Sequence, residues 1–303
     1  MKRLSTLVLS ALAIAAVSGL TVLRTGLVAE AARPGRWDSW TPLVTTTYPV
    51  EGSFTDIAIT DYYADVHLRP SRDGAISVSA RDAEGVSRTV QVVNGTLTIT
   101  RPEPTAGERI FHHEDDDPEL TLYLPAGNYG ALTVTTTSGD VETSAQLNFA
   151  SASLTTVSGD IDLNGAVNGP VTCLSTSGDI ELRCPTAGAV QIETTSGDVE
   201  LTGCYVDSLN VLSTSGDIDL EHSVAAGAIV IDTTSGEISL ERADAASLTL
   251  STVSGEVEGS LLTSKNFSVS TSLGRVSVPT ADPAGAPCTV TTTSGDIRLV
   301  VRP

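Results

Sequence analysis

Asp140, Asp160, Asp179, Asp198 and Asp217 recur at intervals of 20, 19, 19 and 19 residues, each directly after a glycine. Glu237, Glu256 and Asp296 continue the series, and Arg275 interrupts it. Two residues further on, Glu142, Asp162, Glu181, Glu200, Asp219 and Glu258 form a second acidic series. Carboxylates repeated in this way suit hard divalent cations, calcium above all, which take oxygen ligands. The five aspartates from Asp140 to Asp217 are therefore the candidate metal ligands, and no other cofactor is expected. The same residues also suit a structural task, in which each aspartate accepts a backbone N–H at its own corner. Glutamate at 237 and 256 argues against a tightly sized metal cage.

Other reactive side chains are few. His112, His113, Asp115, Asp116 and Asp117 share one charged stretch, which reads as a solvated loop or a metal-binding one. Cys173, Cys184, Cys204 and Cys288 show no CxxC spacing, which disfavours a zinc knuckle. Cys184 and Cys204 fall six and seven residues after Gly178 and Gly197, at the same corner of neighbouring units. Stacked units bring such positions to disulfide distance, so this pair is the candidate bridge. Cys173 and Cys288 read as small buried apolar residues. No Ser/His/Asp or Cys/His constellation stands out, and the carboxylates recur equally in every unit. The chain is read as non-enzymatic.

The elements that place these residues follow from the period. Ser-Gly-[Asp/Glu] occurs eight times between Ser138 and Asp296, with a degenerate ninth copy at Leu273-Gly274-Arg275. Steps of 19 to 21 residues mean stacked units that bury their apolar faces against one another. Counting each unit from its glycine, positions −7, −5, +2 and +4 are mostly aliphatic. Leu209, Val211, Ile218 and Leu220 around Gly216 are one example. Apolar residues two apart mark a strand with one buried face, so each unit has two strands bent at Ser-Gly-Asp. Glycine suits that bend because it tolerates backbone angles that side chains forbid. Position −3 is Thr or Ser in every unit, from Thr136 to Thr292. A matched hydroxyl column favours a coil, in which equivalent residues lie about 4.8 Å apart and can bond to one another. The expected fold is all-β: a single-stranded parallel β-helix or β-solenoid, right-handed, with about nine rungs of 19–21 residues and a rod length of roughly 40 Å. Leu273-Gly274-Arg275, with Gly259 in a leucine position, suggests a weakened eighth rung.

Residues 48–129 are less regular. Ile57 to Leu68 mimics a unit with Ala64 in place of glycine, and Asn94-Gly95 signals a hairpin turn. This region reads as a cap of divergent rungs ahead of the solenoid, residues 130–303. Residues 33–47 are a linker. Residues 1–32 hold Lys2, Arg3 and the uncharged run Leu4 to Leu23, a cleaved signal peptide or a membrane anchor. Either reading places the remainder outside the cytoplasm. A formal charge of −20 argues against nucleic-acid partners, whose phosphates need cations.

The run Leu212-Ser213-Thr214-Ser215-Gly216-Asp217-Ile218-Asp219-Leu220 resembles a bacterial family of domains of unknown function described as putative adhesins. The likeness extends from Tyr48 to Arg302. It implies a β-solenoid at the cell surface or envelope, membrane-anchored or secreted, without catalysis, acting as an adhesin or surface scaffold toward a protein or glycan. Two alternatives remain: an accessory sensor in envelope-stress signalling anchored by Leu4 to Leu23, and a carbohydrate-active or calcium-binding β-helix.

Overall fold

The computed structural model describes residues 43–103 and 118–303. The N-terminal segment, the linker before residue 43 and the loop at His112 to Asp117 lie outside the described residues. All the regular elements described are strands. The first group is β1 (Leu43–Tyr48), β2 (Asp56–Thr60), β3 (Asp65–Pro70), β4 (Ser77–Ala83), β5 (Thr89–Val93), β6 (Thr96–Thr100), β7 (Glu119–Leu124) and β8 (Gly127–Thr135). The repeats supply β9 (Val141–Thr143), β10 (Leu147–Thr155), β11 (Ile161–Asn164), β12 (Val171–Leu174), β13 (Ile180–Arg183), β14 (Ala187–Glu193), β15 (Val199–Thr202) and β16 (Tyr205–Leu212). They continue with β17 (Ile218–Glu221), β18 (Val224–Asp232), β19 (Ile238–Ser251), β20 (Val257–Leu261), β21 (Lys265–Thr271), β22 (Val276–Ser277), β23 (Ala286–Thr292) and β24 (Ile297–Val301).

Each turn of chain places one strand in each of two facing sheets, and equivalent strands stack in parallel. Leu154 pairs with Cys173, Cys173 with Ile192, and Ile192 with Val211. In the other sheet Leu163 pairs with Leu182, and Leu182 with Leu201. These aliphatic columns face each other and are closed to solvent. The fold is thus an all-β solenoid whose nine glycine-marked turns follow the period.

The stacking order departs from the chain order at both ends. At the N-terminal end β2 lies between β6 and β8, and β3 between β7 and β9. At the C-terminal end β23 lies between β19 and β21, and β24 between β20 and β22. The last turn of chain is therefore inserted beneath the one before it. The degenerate Leu273-Gly274-Arg275 corner belongs to the outermost turn rather than to a weak interior rung, and Leu273 is 80% exposed there. Antiparallel strands close the opposite end: β5 covers β6, while β4 and β1 continue from β7.

The structure changes two expectations about the repeat. First, among the nine corner glycines only Gly216 has a positive φ, +141°. The requirement is close approach: a Cβ at Gly197 would sit 1.9 Å from the Gly178 carbonyl oxygen of the preceding turn. Gly259 is likewise no defect, since a Cβ there would meet the Leu240 oxygen at 1.9 Å and its φ is +135°. Second, the buried hydroxyl column does not bond to itself. Thr156 Oγ1 accepts the N–H of Gly159 at 3.0 Å and donates to the Gly139 carbonyl at 3.5 Å. The Thr156 hydroxyl thus ties its own corner to the neighbouring one, which satisfies polar groups inside the core, whereas the buried hydroxyls of Ser213 and Thr233 in the same column make no hydrogen bond.

Candidate functional site

From Asp65 to Glu237 the acidic column forms a continuous ladder. The N–H of Asp140 donates to Oδ1 of Asp65 at 2.9 Å, and that of Asp160 to Asp140 at 2.8 Å. Asp179 donates to Asp160, Asp198 to Asp179, Asp217 to Asp198, and Glu237 to Asp217, at 2.7–2.8 Å. Each carboxylate therefore accepts an N–H from the next turn, where the expectation was one from its own corner. This answers why like charges are tolerated at turn spacing: bare neighbours repel by about 0.9 kcal/mol in water, whereas a hydrogen bond to a charged acceptor offsets that amount or more. The side chains of Glu237 and Glu256, one methylene longer, do not continue the ladder. It resumes at the far end, where Arg275 N–H donates to Asp296 Oδ1 at 2.8 Å.

Basic side chains bracket the acidic columns. Arg69 and His67 hold Glu142 at 2.8 and 3.0 Å at one end. Arg298 contacts Asp296, Glu256 and Glu258 at 2.7, 3.2 and 3.6 Å at the other. Arg183 pairs with Asp162 and Glu181 between them. Although Asp160 is largely exposed, partial desolvation pushes its carboxyl above the usual range; the Asp179 N–H partly offsets this, and the charges of Asp140 and Asp179 add to it. Burial raises Asp162, Asp219 and Glu237 as well, each with neighbouring carboxylates adding to the effect. Asp296 is held low instead, first by the Arg275 N–H and then by Arg298. The candidate ligands Asp140, Asp160, Asp179, Asp198 and Asp217 thus lie in one exposed row, each with an oxygen committed to backbone. Among the described residues no three acidic, imidazole or thiol groups converge in a way that could hold a metal ion.

Cys184 and Cys204 do lie on neighbouring turns, as buried free thiols rather than a bridge. Cys204 Sγ accepts the N–H of Cys184 at 3.3 Å and donates to the Leu182 carbonyl at 3.3 Å. Ser223 repeats this one turn on, accepting the N–H of Cys204 at 3.2 Å and donating to Leu201 at 3.0 Å. The thiols occupy a hydroxyl slot. Cys173 and Cys288 are buried in the core columns, as expected.

Two buried ion-pair clusters escaped the sequence reading. Asp61 stands three residues before Ala64, where the repeats have threonine, and its Oδ1 accepts the Ala64 N–H at 3.2 Å. Arg88 Nε donates to Asp61 at 2.8 Å and its guanidinium also bonds Asp82, with both the Arg88 and Asp61 side chains fully buried. Arg101 bonds Asp82 at 3.4 Å and lies over the Tyr63 ring. The charged residue in the threonine column was the available signal. At the other end buried Lys265 bonds Asp244 and the Ala245 carbonyl. A lone lysine opening an apolar strand gave no comparable hint.

The chain is similar to several solved structures. A putative adhesin from Bacteroides fragilis is 14% identical, covering 86% of this chain and 99% of its own, with a TM-score of 0.46. A putative lipid binding protein from Parabacteroides distasonis is 18% identical, covering 88% and 100%, with a TM-score of 0.48. A putative adhesin from Parabacteroides merdae is 14% identical, covering 86% and 96%, with a TM-score of 0.37. No curated protein matches the sequence. Residues 54–300, which span the stacked turns from β2 to β24, match a domain family of unknown function, and the chain belongs to that family, Toastrack DUF4097.

Proposed function

We propose that the protein is a non-catalytic scaffold of the cell envelope, extracytoplasmic and tethered or exported through Leu4 to Leu23, that uses its acidic ladder for adhesion. One observation carries the reading: the carboxylates from Asp140 to Asp217 are fixed by the backbone of the next turn, with their other oxygen left for a partner. A rigid row at constant spacing meets a repetitive cationic surface without first losing side-chain entropy. The partner is therefore a protein or glycan of the envelope or surface that carries positive groups. Nucleic acid is disfavoured by the charge of −20.

The test uses a variant with Asp160, Asp179, Asp198 and Asp217 all changed to asparagine, which keeps an Oδ1 acceptor and removes the charge. Binding to immobilised amino-glycan and to lysine-rich peptide is expected to weaken by at least about tenfold, with the melting temperature preserved. Equal binding by the variant and the parent would sink the reading.

A further inference from the structure

We infer that the C-terminal end of the solenoid is a self-association surface, on which a second copy of this chain pairs edge to edge through β21 and β22. This goes beyond the proposed adhesive role and rests on different residues.

The two ends are finished differently. The outermost core turn at the N-terminal end, β6 and β7, keeps Leu97, Ile99, Leu120, Leu122 and Leu124 at 0% exposure because β5 and β4 lie over it. At the C-terminal end no strand among the described residues pairs over the last turn, and only the loop at Asp282 touches it, through the Lys265 carbonyl. Val276 is 46% exposed and Leu273 80%, while Phe267, Val269 and Val278 are only partly buried. The core columns run out to an open end, and β21 presents a seven-residue edge whose outer backbone groups have no strand partner. Edges that must stay single are ordinarily blunted by charge, proline or a bulge. Beyond Lys265, which is buried, β21 has none of these.

Charge selects a second copy as the occupant. Two chains of −20 repel, yet Lys265 to Val278 contains no carboxylate and forms the one glycine-marked turn with no acid in either column. The backbone N–H of Arg275 donates to Asp296 of the turn below, a carboxylate that Arg298 also holds, so the end groups two cations around one anion. A two-fold contact needs such a self-complementary patch. Antiparallel pairing of β21 with its copy would satisfy both edges and bury Leu273 and Val276.

The test is the oligomeric state of the full chain, kept in detergent micelles if the N-terminal segment is retained. Single thiols are placed at Asn266, Ser268 or Ser270, all exposed, while the four native cysteines are buried. A dimer across the micromolar range is expected, with at least one introduced thiol forming a bridge between copies. Ser268→Lys with Ser270→Lys should weaken dimerisation about tenfold or more at an unchanged melting temperature, and Leu273→Asp should act likewise. A chain that stays monomeric, or a dimer indifferent to these substitutions, would overturn the inference. So would a monomer whose introduced thiols are shielded from maleimide, which would assign the end to another segment of the same chain.

Discussion

The backbone N–H of Asp179 donates to Oδ1 of Asp160, 2.8 Å away on the preceding turn. A residue type repeated every 19 residues thus serves its neighbour's backbone and presents charge at the same time.

The ladder predicts that the carboxyl geometry matters more than the charge. Asp179→Ala leaves the Asp198 N–H without its acceptor and should cost about 0.5–1.5 kcal/mol. Asp179→Asn should cost less or stabilise, because the acceptor stays and a like charge leaves. Urea denaturation of the two variants checks the ordering.

Acid should stabilise this protein at first. Asp160, Asp162, Asp219 and Glu237 have carboxyl groups raised in the folded state, mainly by burial. A raised acid binds more protons folded than unfolded, so stability falls as pH rises through the window above its ordinary value. Asp296, held low, opposes this only at more acidic pH. The melting temperature should therefore climb as pH drops from neutrality toward the ordinary carboxylate range. A monotonic fall over that range would contradict the assignment.

Close approach and backbone angle can be separated with two glycines. Gly197→Ala meets the Gly178 carbonyl, whereas Gly203, at φ +65°, has nothing within 4 Å of a new Cβ. The second substitution should cost about 1–2 kcal/mol and the first clearly more. Thermal melts of both would decide it.

Arg88→Met leaves Asp61 and Asp82 buried without their main cation. Losing one partner of a buried pair costs about 3–5 kcal/mol. Hydrogen exchange should show the loss first in β2, β4 and β6.

The cysteines should be silent in the folded chain. Burial pushes Cys173 up to about 12 and Cys288 to about 11, and raises Cys184 and Cys204 as well. Ellman titration should find no fast thiol without denaturant. Cys204→Ser should be tolerated, as Ser223 shows, while Cys204→Val should cost about 1–3 kcal/mol by orphaning the Cys184 N–H.

Much of this was legible because a parallel stack imposes the same constraint once per turn. The threonines at position −3, the leucines at +4 and the glycines each recur where the structure needs them. What they do was less legible: residue type does not say whether a hydroxyl bonds up its column or into its corner, or whether a glycine answers to angle or to crowding. The order of the end turns was also hidden. The units at Gly255, Gly274 and Gly295 carry nearly equivalent strands, so either sequence of stacking satisfies the pattern. Only Leu273 and Arg275 marked which of them faces outward.

That swapped order has a kinetic consequence. A coil wound strictly from one end to the other can unzip from its last residue. Here β23 and β24 are clamped on both sides, so the C-terminal tail cannot peel away until β21 and β22 have let go. Nor can a growing chain complete this end turn by turn in the order of synthesis, since the slot between β19 and β21 is filled by β23, which is made after β21.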